Sequence, residues 1–216
     1  MATSVTAAPD WVHDTEQSVL DHALRLIPKH GFTWPTIRQA GAEAGLTPGE
    51  TELLLPHGPA DVAALLSRRH DAAALAALSS LDAGALKIRA RIRAGVEARL
   101  QAAAVDEAAL RRLAGFLALP THLGLGARLV WESADAIWRW AGDVATDENH
   151  YSKRAILSGI LASATAIRLS SGHGAAMAFV DRRIDNVMAF EKWKAGVRPS
   201  AHVTRAAELL GRLRYR

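Results

Sequence analysis

Cysteine is absent from the 216 residues, which excludes disulfides, thiolate metal sites and a cysteine nucleophile and fits a reducing compartment. No apolar run reaches the roughly 20 residues that a membrane span requires, so no transmembrane helix is expected. Met1 to Asp14 has neither a basic start followed by an apolar segment nor the look of a transit peptide. The expectation is therefore a bacterial-type cytoplasmic protein able to touch the membrane from its inner face. Chemistry-bearing motifs are missing as well: there is no glycine-rich phosphate loop, no nucleophile elbow and no pair of metal-binding histidines on one helix face. Asp147 and His150 supply half of the carboxylate-x-x-His spacing used by di-iron bundles, but a second copy and two further carboxylates are not found. No catalytic residue, metal or cofactor is expected.

Period-two alternation, the mark of a strand, is also nearly absent, whereas Ala- and Leu-rich helical spacing recurs from Thr15 onward in a chain that is 50% apolar. The fold class is all-α. Helices are predicted over residues 15–29, 34–44, 48–55, 59–80, 84–104, 106–118, 123–142, 147–170, 174–193 and 201–214. They divide the chain into an N-terminal tail (1–14), a helix-turn-helix-like part (15–58), a bundle (59–195) and a linker with a separate helix (196–216). The segment from Gly31 to Gly58, with Gly45 at its turn, resembles the N-terminal domain of TetR-type regulators. A regulator with an apolar effector pocket is accordingly the alternative function. Its candidate reading helix, however, holds Glu50 and Glu52 and no Lys or Arg between Thr47 and Leu55. Carboxylates repel phosphate, so no nucleic-acid partner is expected. The cluster Lys87, Arg89, Arg91 and Arg93 winds around its helix and reads as a solvated face.

The richest stretch is Trp131 to Leu169, with three of the six tryptophans. Glu132, Asp135 and Arg139 form a polar stripe, and Trp131, Ala134, Trp138 and Ala141 an apolar one, at helical spacing. From Ala155 to Ile167 there is no charge, and Ala155, Ser158, Gly159, Ala162, Ser163 and Ala166 leave room for a neighbouring helix or a slender apolar ligand. The runs WESADAIWRWAGDVATDENHYSKRAILSGILA and FVDRRIDNVMAFEKWK resemble the ubiquinone-biosynthesis lipid-binding accessory family of COQ type. The likeness covers roughly residues 15 to 216 and is strongest after 130.

That resemblance implies a TetR-like bundle, an isoprenoid-sized cavity, and a non-catalytic accessory role in which a polyprenylated quinone precursor is offered to a hydroxylase of the demethoxyubiquinone type. It also implies a homodimer formed through the last two bundle helices. Where eukaryotic members tend to carry an aromatic pair, His150 precedes Tyr151 here, which alters the implied partner surface. The lipid-binding candidates are Trp131, Ala134, Trp138, Ile156, Ile160 and Met177, and the partner-binding candidates Asp147, Asn149, His150, Tyr151 and Arg154.

Beyond Trp193, Gly196, Pro199 and Ser200 read as a linker into an amphipathic helix. Val203, Leu209, Leu210 and Leu213 share its apolar side, and Arg205 and Arg212 its basic side. The residues from Glu191 to Arg216 include seven basic and two acidic side chains, which exceeds the whole chain's net charge of +4. The basic balance thus belongs to the tail and suits a membrane surface rather than a nucleic acid.

Overall fold

The computed structural model describes residues 11–143 and 148–196, with the backbone alone at 148, 149, 188 and 190–196. Among the described residues there are eight α-helices and no strand: α1 (Trp11–His30), α2 (Trp34–Glu43), α3 (Pro48–Leu54), α4 (Pro59–Leu78), α5 (Ile88–Ala104), α6 (Glu107–Leu117), α7 (Leu123–Trp140) and α8 (Glu148–Gly196). The predicted helices are matched to within a few residues. One starts late: residues 83–85 form a single 3₁₀ turn, because the Asp82 side chain accepts from the Gly84 N–H at 2.8 Å and ends the coil there. The helix expected over 201–214 lies outside the described residues.

Local chemistry sets the head of the molecule. Thr33 caps α2, with Pro35 in its first turn. Thr47 and Glu50 form a reciprocal capping box at the start of α3, the Glu50 carboxylate accepting from the Thr47 N–H at 2.8 Å. Glu50 therefore serves the helix end, and Glu52 accepts from Arg38 across to α2 at 2.8 Å. The rest of the exposed face of α3 is Pro48, Gly49 and Leu53, without a cation. A first core joins Val19, Leu20, Ala23 and Ile27 of α1 and Ile37 of α2 to Val62 and Leu66 of α4 and Leu110 and Leu113 of α6. Head and bundle share this core.

The second core lies in the bundle. Ile92, Val96 and Leu100 of α5 and Ala134 and Ile137 of α7 meet Leu157, Ile160, Leu161 and Ala164, then Ala176, Met177, Val180 and Ile184, all of α8. One helix supplies both of those last sets because α8 breaks at Gly172, where φ is 85° and ψ 173°, a backbone region open to glycine alone. Ile156 and Val187 line one hollow together, and Ser163 and Phe179 line another, so the two arms run antiparallel. By length and composition the stretch His150–Val187 would qualify as a membrane span, with little of it buried. This corrects the expectation that no segment would qualify. The break at Gly172 folds the stretch into a hairpin whose inner faces join the core.

Of the basic cluster, Lys87 and Arg89 are exposed as expected, whereas Arg91 and Arg93 are partly buried. Arg89 pairs with Asp185 at 2.5 Å and Arg93 with Asp181 at 2.8 Å, which ties α5 to the second arm of α8. On the other side of the bundle, Asp71 of α4 accepts from Arg99 of α5 at 2.5 Å and from the Ser133 hydroxyl of α7 at 2.7 Å.

Candidate functional site: an apolar pocket between the last two helices and α5

A cavity of about 490 Å³ opens where the start of α5, the end of α7 and both arms of α8 converge. Its walls follow from the sequence register. Ile88 and Ile92 sit one turn apart on α5, Trp138 and Ala141 end α7, Ile156, Leu157 and Ile160 come from the first arm, and Ile184 and Val187 from the second. A second hollow of about 340 Å³ shares Ile156, Ile160 and Val187 and extends between the arms toward Gly159, Ser163 and Phe179. The size falls in the range of small-molecule sites, and so does the chemistry of an apolar interior with few polar groups.

The polar residues in its lining are Arg89, Arg91, Asp143, Ser152 and Lys153. Arg91 donates to the carbonyls of Leu86 (2.8 Å), Ala141 (2.7 Å) and Gly84 (3.4 Å), which fastens the start of α5 to the end of α7. The Trp138 indole N–H donates to the Lys153 carbonyl at 3.1 Å. The Lys153 ammonium lies 5.3 Å from the centre of the Trp138 ring and 2.7 Å from an Asp143 oxygen. Behind this rim Arg154 is only 1% exposed. It donates to Asp135 at 2.6 Å, to Asp143 at 3.0 Å and to the His150 carbonyl at 3.2 Å. Burial alone would raise the Asp143 carboxyl, but hydrogen bonds from Lys153 and Arg154 outweigh it and hold the group below its ordinary value. Burial would likewise lower the Arg154 guanidinium, and its bonds to Asp135 and Asp143 raise it instead. The charges are locked on.

Of the lipid-binding candidates, Trp138, Ile156 and Ile160 line the cavity. The other three do not. Ala134 and Met177 are packed into the second core at 0% and 5% exposure, because their stripe meets helices rather than space. Trp131 is half-buried, its ring 6.3 Å from that of Tyr151. Ile88, Arg91, Ile92, Ile184 and Val187 were missed, although the i, i+3 and i, i+4 pairs of branched residues on α5 and on the second arm were a visible signal.

Among the partner-binding candidates, Tyr151 is 64% exposed and stands edge-on to His150 at 5.2 Å. Arg154 is the correction. It faces inward because Asp135 and Asp143 both require its charge, and no partner can reach it. Asp147 and the side chain of Asn149 lie outside the described residues, as do the membrane-docking candidates Val203, Arg205, Leu209, Leu210, Arg212 and Leu213.

Fold and pocket together define an all-α, TetR-like bundle whose candidate site is an apolar pocket with a charged rim. A family model described as COQ9 matches residues 123–191, which is α7 and most of α8. The chain is 27% identical over 184 residues to the ubiquinone biosynthesis protein COQ9, mitochondrial, of Rattus norvegicus, a match covering 80% of this chain and 58% of that protein. It is also 27% identical over 188 residues to COQ9-A, mitochondrial, of Xenopus laevis (80% and 57%) and 31% identical over 100 residues to COQ9 of Xenopus tropicalis (45% and 32%). The chain is similar to the COQ9 family over α7 and most of α8. It spans a little under three fifths of the length of its relatives from rat and Xenopus laevis. The matched segment carries three of the pocket's walls and the whole Asp135, Asp143, Lys153 and Arg154 network.

Proposed function

We propose that this chain is a non-catalytic lipid-binding accessory protein of ubiquinone biosynthesis, one that shelters a polyprenylated quinone precursor and offers its head group to a hydroxylase. The observation that supports this reading is the apolar cavity of about 490 Å³, three of whose walls lie in the segment that matches the COQ9 family model. An isoprenoid tail is poorly soluble in water, so a pathway enzyme gains from a carrier that buries the tail. The exposed Tyr151, with the half-buried His150 against it, is the surface offered to the hydroxylase. A homodimer would cover the exposed small residues Ala155, Gly159, Ala162 and Ala166 of the first arm and Ala175 and Ala178 of the second. The protein would work in the cytoplasm, held peripherally on the inner face of the membrane by its C-terminal helix. Ile156 tests the pocket, because it is 42% exposed yet lines both hollows. Mass spectrometry of lipids extracted from the purified protein should find a prenyl lipid, and Ile156→Glu should lose it while keeping the helical circular dichroism. Repeated preparations free of prenyl lipid would count against the reading.

A further inference from the structure

Among the described residues most of the charged groups in and behind the rim are paired. Arg139, Lys153 and Arg154 share the two carboxylates Asp135 and Asp143, and Arg89 uses Asp185. Arg91 differs from all of these: among the described residues no carboxylate pairs with it, and its bonds go to three backbone carbonyls. A guanidinium has five N–H groups. Those bonds use one on Nε, one on Nη1 and one on Nη2, which leaves a donor on each terminal nitrogen. The carbonyls of Leu86 and Ala141 anchor the group on two sides, and Arg91 is one of the few polar residues lining an otherwise apolar cavity. An anchored guanidinium with spare donors fits an oxyanion better than a neutral ring oxygen, since charge-assisted bonds are about twice as strong as neutral ones.

We infer that the pocket selects single-tailed amphiphiles with an anionic oxygen head group, a carboxylate or a phosphate monoester, and that Arg91 is the residue that binds the head. The inference rests on the cavity being the ligand site. Arg91 has an evident structural duty at the end of α7, but that duty predicts a change in stability and no change in the preference between chain-matched ligands.

Titration calorimetry with dodecanoate, dodecanol and lauroyl lysophosphatidic acid at pH 8 and low salt separates these possibilities on the intact chain. Both anions should bind about tenfold or more tightly than dodecanol, the value of one charge-assisted hydrogen bond. Whichever anion binds better identifies the head group as carboxylate or phosphate. Arg91→Gln should lower affinity for the anions to that for dodecanol and leave dodecanol unchanged; Arg91→Lys should restore part of the difference. If Arg91→Gln loses its helical signal, the wild-type ratio and Arg91→Lys decide. Equal affinity of all three ligands for the wild type overturns the inference and leaves the apolar pocket standing. An Arg91→Gln variant that folds and keeps the full preference removes Arg91 from the role. Failure of all three to bind overturns the pocket reading as well.

Discussion

Arg154 and Tyr151 lie one turn or less apart in sequence and have opposite energetic roles. The Arg154 guanidinium is buried against two carboxylates, whereas 64% of Tyr151 is exposed. Removing one member of a buried ion network strands the others, so Arg154→Met should cost about 3–5 kcal/mol in urea unfolding. Tyr151→Ala should stay within about 0.5 kcal/mol, and on the proposed function it should weaken association with the hydroxylase. A stable Arg154→Met protein would show that Arg139 and Lys153 alone suffice for Asp135 and Asp143. His70 is a second residue with a defined signature. It is 2% exposed, its Nε2 lies 2.9 Å from Asp106, and its Nδ1 has no partner. Burial, then the nearby Arg99, pushes its pKa below the ordinary histidine value, and Asp106 opposes this only in part. The unfolded chain therefore binds the proton first. Stability from neutral His70 is complete above about pH 6.5 and is lost as pH falls from there toward the lower folded value. Urea midpoints from pH 7.5 to 5.5 should fall more steeply for the wild type than for His70→Gln, and parallel slopes would rule this out.

At the scale of helices, the spacing of α5 and α7 is set by Gly95. A β-carbon there would stand 2.5 Å from Ile137 Cγ2 and 3.3 Å from Cγ1. A β-branched side chain has no ready rotamer to escape, so Gly95→Ala should force the helices apart at a cost of about 1–3 kcal/mol. Ile92 and Trp138 sit on these same helices, so the variant should also hold less lipid, read as a lower thermal midpoint together with lower lipid content. The helices themselves were legible in the sequence because caps, prolines and apolar periodicity mark them locally. The interruption expected between 170 and 174 is the break at Gly172. What periodicity could not supply was the identity of the neighbour. Trp138 and Ala134 belong to one stripe, yet one meets a cavity and the other a core. Arg154 looked like part of an exposed helix start, because its partners at 135 and 143 come from another helix and its connecting turn. Arg91 was hidden for the same reason, its acceptors being backbone carbonyls that no sequence pattern displays.

For the molecule as a whole, the division of charge sets the C-terminal segment apart from the rest of the chain. Among the described residues both cores are built from residues between Val19 and Ile184, and the segment that begins at Pro199 lies outside the described residues. Its sequence combines four aliphatic side chains on one side with Arg205 and Arg212 on the other. Each buried aliphatic contributes about 1.5–3 kcal/mol before ordering costs, and each Arg near anionic lipid about 1 kcal/mol. Together these favour reversible docking on a membrane. Deletion from Pro199 onward should keep the helical circular dichroism and the bound lipid and abolish flotation with anionic liposomes. Charge and apolar contact separate in point variants. Leu210→Glu should weaken binding to neutral and anionic vesicles alike, whereas Arg212→Glu should matter with anionic vesicles at low salt, where the screening length is long. A truncated protein that floats as well as the intact one, or that unfolds, would place the segment in the bundle instead of on the membrane.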